Sequence, residues 1–170
     1  AGGQLSLLKL MKLMYLAERE SLRQYGETIT GDAFVSMQHG PVLSTTYNHM
    51  TGSLTSSEGG CETWISDRAG NMLALQDPSM LRTPEQDLLA LSETDLECID
   101  ATWAQFGHIA AWRLRDMTHE GLCPEWVDPN GSSRPIPLSR VLKALGYSPD
   151  QIESLDRRLH EQRQINAAFR

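Results

Sequence analysis

The sequence predicts a mainly α-helical domain of the α+β class, in which a buried central helix is accompanied by a short strand and a small β-hairpin. Two observations lead to this class. The segment from Leu7 to Leu22 is apolar around most of a helical circumference, and such a helix must be covered on more than one side. A chain of 170 residues buries roughly 68 to 70% of its unfolded surface, so a single domain over 1–170 is expected.

The first third of the chain is predicted to contain the central helix, a brief strand and a second helix. Its remaining polar residues form a narrow wedge, namely Lys9, Lys12, Arg19, Glu20 and Arg23. Gly26 is expected to end the helix. Residues 33–37 are too few for a helix between two glycines, and they contain Phe and Val, so we predict a brief strand there. Pro41 suits the first position of a helix, which predicts a second helix from Pro41 to about Met50.

The middle of the chain predicts turns and a hairpin. Residues 53–60 are rich in Ser, Thr and Gly and indicate a mobile surface loop. Two short apolar runs, 63–66 and 72–75, flank a turn that contains Gly70, which is typical of a β-hairpin. The stretch from Asp77 to Pro84 indicates a connector.

The second half predicts four helices and one long loop. Ser92 and Asp95 resemble a capping box that begins a helix ending at Gly107. A second helix is expected over 109–118, and 138–145 is a third. Ser148-Pro149 begins the last one. The apolar residues expected to face the core are Leu96, Ile99, Trp103, Phe106, Trp112, Leu114, Met117, Ile152, Leu155, Leu159 and Ile165. Residues 124–137 contain four prolines and are expected to form an irregular loop. We expect the helical part 138–170 to pack on the same domain.

Composition excludes several classes of protein. The net charge is −7, and residues 58–100 carry ten acids against two arginines, which argues against nucleic acid as the main partner. The acidic middle either steers a basic protein partner or is a solvated surface. No apolar run approaches the 18 or so residues of a membrane span, and no secretory signal is visible, so a cytoplasmic protein without membrane contact is expected. Three widely spaced cysteines predict neither disulfides nor a zinc knuckle.

Individual polar residues give no assembled catalytic set. His39, placed at the predicted helix start, is either an anion site or general base, or it caps the turn; we favour the cap because no nucleophile accompanies it. Asp32 is expected to bond the local backbone. Trp126 either anchors the Pro-rich loop or faces a partner, and we favour the anchor. The spacing of the possible ligands His108, His119, Glu120 and Cys123 matches no standard zinc pattern, so no metal is predicted. No glycine-rich phosphate loop occurs, and no cofactor is predicted.

Several motifs together resemble a known family. They occur in this order: Lys9-Leu10-x-Lys12-Leu13-x-Tyr15-Leu16-Ala17, Tyr25-Gly26, Ile29-Thr30-Gly31-Asp32, Phe34-Val35-x-Met37-x-His39-Gly40-Pro41-Val42, Thr118-His119 and Pro124-Glu125-Trp126. In this order and spacing they resemble the Panacea domain, the antitoxin-associated family that includes SocA-like and phage-associated GepA-like proteins. The resemblance covers most of the chain.

The resemblance implies a helical, non-enzymatic antitoxin of a bacterial or phage toxin-antitoxin system, which neutralises a cognate protein toxin by direct binding. It also implies an alternative, an adaptor that delivers the toxin to an ATP-dependent protease. A third hypothesis is an enzyme with His39 as acid/base and Asp32 or His119 as helper. Family members usually carry one more helix before Lys9, so we expect the chain to lack its start. The residues expected to contact the toxin are Lys9, Lys12, Tyr15, Asp32, His39, Gly40, Pro41 and Trp126.

Overall fold

The computed structural model describes residues 2–57, 60–66, 70–77, 79, 83 and 87–168. Within them the chain forms seven α-helices and five short strands. The helices are α1 (Leu7–Tyr25), α2 (Ser44–Met50), α3 (Cys61–Trp64), α4 (Glu93–Phe106), α5 (Ala111–Met117), α6 (Leu138–Ala144) and α7 (Pro149–Ala168). The strands are β1 (Gln4–Ser6), β2 (Phe34–Met37), β3 (Gly40–Leu43), β4 (Met72–Ala74) and β5 (Arg134–Pro135). The mainly α-helical fold predicted from the sequence is confirmed.

Helix α1 is the central element, as predicted. It contacts β1, β3, α4, α5 and α6. Ser6 caps its first turn by accepting a hydrogen bond from the Lys9 amide at 3.3 Å. Its end is also the predicted one, because Gly26 adopts a left-handed φ of 66° and its amide donates to the Leu22 carbonyl.

Residues 34–43 form a β-hairpin, and the predicted helix start at Pro41 is wrong. Strand β3 pairs antiparallel with β2, with Met37 opposite Gly40 and Phe34 opposite Leu43. All four residues of β3 are buried, so pairing covers an apolar segment that a surface helix would expose. Pro41 is tolerated because β3 is an edge strand of the β3-β2-β5 sheet. Helix α2 begins only at Ser44 and ends at Met50, the predicted end.

The predicted hairpin of residues 63–66 and 72–75 is also largely wrong. Cys61–Trp64 is a short helix, and the two segments share a single antiparallel bridge, Ile65 to Leu75. Strand β4 pairs instead with β1 at the start of the chain. The leading part of the expected turn, residues 67–69, lies outside the described residues. So do residues 58–59 of the expected loop and most of the expected connector, namely 78, 80–82 and 84.

The helices of the second half lie where their capping signals predict. Both hydrogen bonds of the Ser92–Asp95 capping box are present, and α7 begins at Pro149. The prediction of which helical residues face the core is partly wrong. Helix α4 buries Cys98, Thr102 and Phe106, which are four residues apart, so Trp103 lies at the edge of the buried face and is 42% exposed. Other predicted core residues that are exposed are Ile99, Trp112 and Ile165.

The main core joins the two ends of the chain. One cluster of buried apolar residues extends from Leu13 and Leu16 in α1 to Val141 in α6 and Leu159 in α7. The 124–137 loop is irregular as predicted, except that Arg134–Pro135 adds a third strand beside Val35 and Ser36. Among the described residues, no helix combines the length and apolarity needed to cross a bilayer.

Candidate functional site

Lys12 is a buried cation at the centre of the motif region. Its side chain is 1% exposed, and its Nζ donates a hydrogen bond to the Pro41 carbonyl oxygen at 2.7 Å. Burial, with a contribution from the nearby Arg115 charge, lowers the pKa of Lys12 from 10.5 to about 7, although Cys123 acts in the opposite direction. The prediction that Lys12 forms part of an exposed polar wedge is therefore wrong, because hairpin β2–β3 covers it.

Tyr15 and Glu125 form a second buried polar contact. The Tyr15 hydroxyl donates to Glu125 Oε1 at 2.8 Å, and Arg19 Nε lies 2.9 Å from the same oxygen. Tyr15 and Glu125 are 0% and 1% exposed. Burial, reinforced by the Glu125 charge, raises the pKa of Tyr15 well above its usual value. Tyr15 therefore ties α1 to the Pro-rich loop rather than offering its ring to a partner, which corrects its expected surface position.

Glu18 was not singled out by the sequence analysis, yet it fastens the loop that follows α1. Its carboxylate accepts hydrogen bonds from the amides of Ile29 and Thr30 at 2.8 and 2.6 Å, and from the Thr30 hydroxyl. Burial raises the pKa of Glu18 despite these bonds. The available signal was an acidic residue inside the apolar circumference of α1, where a buried carboxylate needs donors.

Asp32 bonds the backbone, as predicted, and it also reaches the next helix. Its carboxylate accepts from the Ala33 amide at 2.6 Å and from the Thr45 and Thr46 amides at the start of α2, at 3.0 and 2.8 Å. Burial by itself would raise the pKa of Asp32, but the bonds from Thr46 and Thr45 outweigh it and lower the pKa. Asp32 therefore supplies the cap that Leu43, the residue before α2, lacks.

His39 and Gly40 form the turn end of the hairpin, so His39 does not lie at a helix N-terminus as predicted. The His39 side chain is exposed, and its ring meets the Trp112 ring edge to face at 5.7 Å. Gly40 has a φ of 94°, and a Cβ there would lie 2.6 Å from Thr118 Oγ1 and 3.0 Å from Lys12 Nζ. Only glycine lets the backbone pass this close to Lys12. Gly40 and Pro41 are buried and offer little surface.

Trp126 anchors the Pro-rich loop, as favoured from the sequence. It is half-buried, its Nε1 donates to the Met37 carbonyl oxygen at 3.0 Å, and its ring stacks on His119 at 4.0 Å. His119 is thereby engaged in packing. No group of three or more His, Cys, Asp or Glu side chains in the described part of the chain is arranged to hold a metal ion.

An open groove of about 720 Å³ lies above Lys12. Its walls are the first turns of α1, the β2–β3 turn, the start of α5 and residues 131–133. Lys12 and Gly40 contribute to the groove, and His39 and Trp112 line it. None of the described residues that line it is acidic, although the chain as a whole has a net charge of −7.

Two exposed tryptophans each lie beside a cation. Trp112 is 58% exposed and carries the Arg115 guanidinium 5.1 Å from its ring centroid. Trp103 is 42% exposed, with Lys9 Nζ 5.9 Å from its ring centroid. Lys9 also donates to the Gly107 carbonyl oxygen at 2.5 Å, so it remains at the surface as expected. The sequence analysis assigned both tryptophans to the core; their surface position depends on which face of α4 and α5 meets α1.

Comparison with known proteins identifies the domain. Residues 10–126, more than half of the chain, match the family described as antitoxin SocA-like, Panacea domain. No curated protein and no solved structure gives a significant match. The matched segment begins in α1 and ends at Trp126, so it includes Lys12, Tyr15, Pro41 and Glu125, which form the buried polar contacts described above. This chain therefore belongs to the SocA-like antitoxin family of Panacea domains.

Proposed function

We propose that this protein is the antitoxin of a bacterial or phage toxin-antitoxin pair and neutralises a cognate protein toxin by direct binding in the cytoplasm. The observation that carries this proposal is the family match over residues 10–126. An antitoxin-like family implies a protein partner. Because a stable inhibitory interface buries around 1,600 Å² in total, the toxin must cover more than one element of this domain.

The surface formed by Trp112 and His39 at the groove, together with Trp103 and Lys9 at the start of α1, supports toxin binding best. Exposed tryptophans beside cations are typical of interface hot spots, because a Trp ring buries a large apolar area and still accepts a cation on its face. The expected contact residues Lys9 and His39 belong to this surface. Lys12, Gly40 and Pro41 would act at its base, where the bond from Lys12 to Pro41 holds the hairpin that carries His39 and Lys12 itself borders the groove. Tyr15 would act beneath the surface, by holding the Pro-rich loop through Glu125. Asp32 and Trp126 would act in the same way, by holding α2 and the Pro-rich loop.

Co-expression with the product of the neighbouring gene tests the proposal. We expect the two proteins to copurify and the antitoxin to restore growth. A Trp112→Ala variant should weaken the complex by a factor of about 30 or more, since hot-spot truncations cost about 2 kcal/mol. The matched control is Ile165→Ala, which removes a similarly exposed apolar side chain from α7, the helix whose Arg158 bonds Gly26 at the far end of α1. Failure to copurify, together with unrelieved growth inhibition, would refute the proposal.

The adaptor alternative rests on the same SocA-like family match. It predicts that the toxin's half-life falls when antitoxin is present, and only in cells that contain the ATP-dependent protease. A half-life that is the same with and without the protease, combined with full neutralisation, supports direct blocking.

The geometry does not favour the enzyme hypothesis. Asp32 is occupied by the α2 amides and His119 by the Trp126 ring, so neither described side chain assists His39. A His39→Gln variant should therefore still neutralise the toxin. Its affinity for the toxin should fall by no more than the loss of one contact at the edge of the interface explains. Complete loss of neutralisation with binding retained would revive the hypothesis.

A further inference from the structure

The buried ammonium of Lys12 lacks a counter-charge. The only hydrogen bond it makes to a described residue goes to the Pro41 carbonyl oxygen, and no described carboxylate lies within 4.0 Å. An ammonium group has three donors, and a buried charge is normally paired. A buried, incompletely satisfied cation is therefore part of the groove wall.

The groove around Lys12 favours an anionic occupant with an apolar body. Its charged or titratable groups among the described residues are Lys12, His39 and Tyr47. The Arg115 guanidinium lies over the ring of Trp112, a lining residue, and its Nε pairs with Asp116 at 3.1 Å. Leu7, Leu8 and Met11 supply apolar surface beside them. In a protein with a net charge of −7, a wall whose described residues include no acid attracts a negative group that most of the surface would repel.

We propose that this groove receives an apolar segment of the partner protein that carries one aspartate or glutamate side chain, whose carboxylate pairs with Lys12 Nζ. This inference rests on the proposed antitoxin function and adds the chemistry of the partner. The carboxylate reaches Nζ through the groove beside Gly40, where a side chain would lie against the ammonium, because its Cβ would be 3.0 Å from Nζ. Pairing supplies the missing acceptor, and the charge-assisted hydrogen bond is strong because it forms in a largely buried place. The low pKa of Lys12 agrees with the absence of a counter-charge in the free protein.

The first test uses the protein alone, with 3-phenylpropionate as the probe and its neutral amide, 3-phenylpropionamide, as the matched control. Amide chemical shifts are followed by NMR during each titration at a pH below 7, where Lys12, with its pKa of about 7, carries its proton. The expected result is that the carboxylate shifts Gly40, Ala111 and Ser132 and binds about tenfold more tightly than the amide. Equal affinities, or shifts confined to other regions, overturn the inference, and this comparison needs no variant.

Two variants assign the preference to Lys12. Lys12→Met should abolish the preference for the carboxylate, whereas His39→Gln should keep it. The reverse pattern, with the preference lost in His39→Gln and kept in Lys12→Met, overturns the assignment. The amide spectrum of each variant checks that it is folded.

The second test uses synthetic peptides that tile the toxin. Binding by an internal peptide, lost when its acid is replaced by the corresponding amide residue, supports the inference. Binding only by the C-terminal peptide, lost when its end is amidated, overturns it in favour of a chain-end carboxylate. A toxin that copurifies equally well with the Lys12→Met variant refutes the inference while the antitoxin proposal stands, and a toxin that never copurifies refutes that proposal instead.

Discussion

The hydroxyl of Tyr15 donates a hydrogen bond to Glu125 Oε1 at 2.8 Å, across 110 positions of the sequence. Arg19 Nε lies 2.9 Å from the same oxygen. One buried carboxylate oxygen thus connects two residues of the central helix to the Pro-rich loop, and Trp126, the next residue, extends the connection to strand β2 through the Met37 carbonyl. The position of that loop beside the groove depends on this contact.

Removing the Tyr15 hydroxyl should destabilise the fold. Tyr15→Phe leaves Glu125 Oε1 with Arg19 as its remaining partner, and Oε2 already has no hydrogen-bond partner among the described residues. We expect a loss of about 1 to 3 kcal/mol in the free energy of unfolding, measured by urea titration. The matched control is Tyr25→Phe, whose hydroxyl bonds Glu97 at the surface and should cost less than about 0.5 kcal/mol. Equal losses in the two variants would contradict the importance of burial here.

Removing the carboxylate should cost more than removing the hydroxyl. Glu125→Ala leaves Arg19, whose side chain is 11% exposed, without its counter-charge. The expected loss is about 3 to 5 kcal/mol by chemical denaturation, because an unpaired charge remains largely buried. Glu120→Ala removes the acid of an ion pair with Arg113 in which both side chains are 58% exposed, and it should cost no more than about 1 kcal/mol. A small effect of Glu125→Ala would mean that water or the rest of the loop compensates for the lost charge.

The buried lysine should make stability depend on pH. Between about pH 7 and pH 9 the folded Lys12 has lost its proton while the unfolded lysine, with a pKa near 10.5, still holds it. The unfolded state then binds more protons, so the free energy of unfolding rises with pH, by at most about 1.4 kcal/mol per pH unit. Lys12→Met should lack this rise, whereas Lys143→Met, at an exposed lysine, should keep it.

The rise should reverse at higher pH. Burial raises the pKa of Cys123 from 9.0 to about 12 and that of Tyr15 well above 10.0. Above pH 9.0 the folded state therefore retains protons that the unfolded state loses, so the stability of Lys12→Met falls from about that pH. In the wild type the rise from Lys12 opposes this fall until the unfolded lysine loses its proton near pH 10.5, and stability falls beyond that pH. Unfolding curves recorded across this pH range check both the rise and the fall of the free energy of unfolding. If this free energy changes with pH below 9.0 in the same way in the wild type and in Lys12→Met, the assignment to Lys12 is contradicted.

A side chain at Gly40 should be poorly tolerated. In Gly40→Ala the new Cβ would meet Thr118 Oγ1 at 2.6 Å, in addition to the strain of a left-handed φ of 94°. Gly131→Ala is the matched control, because Gly131 has a φ of 87° and nothing within 4 Å of its added Cβ. We expect about 1 to 2 kcal/mol of destabilisation for Gly131→Ala and clearly more for Gly40→Ala, measured as shifts in the denaturant midpoint. If both lose the same amount, the hairpin moves away from Lys12 at little cost.

The sequence by itself determined several helix ends. Gly26, the Ser92–Asp95 box and Pro149 act on backbone groups within four residues of themselves, so their effect on a helix end is visible in the chain. The apolar circumference of α1 likewise predicted a central helix. The family motifs, read together, predicted membership that the match over residues 10–126 confirms.

Only the tertiary structure decided which groups meet across the chain. Residues 40–43 form a strand because Phe34 to Met37 pair with them, and Trp112 faces outward because Leu114 takes the buried position on α5. Lys12 and Tyr15 are polar residues that a helical pattern places at the surface, yet the Pro41 carbonyl and the Glu125 carboxylate satisfy them in the interior. Capping signals act over one helical turn, whereas burial of a polar side chain depends on a partner that folding brings from 29 or 110 positions away.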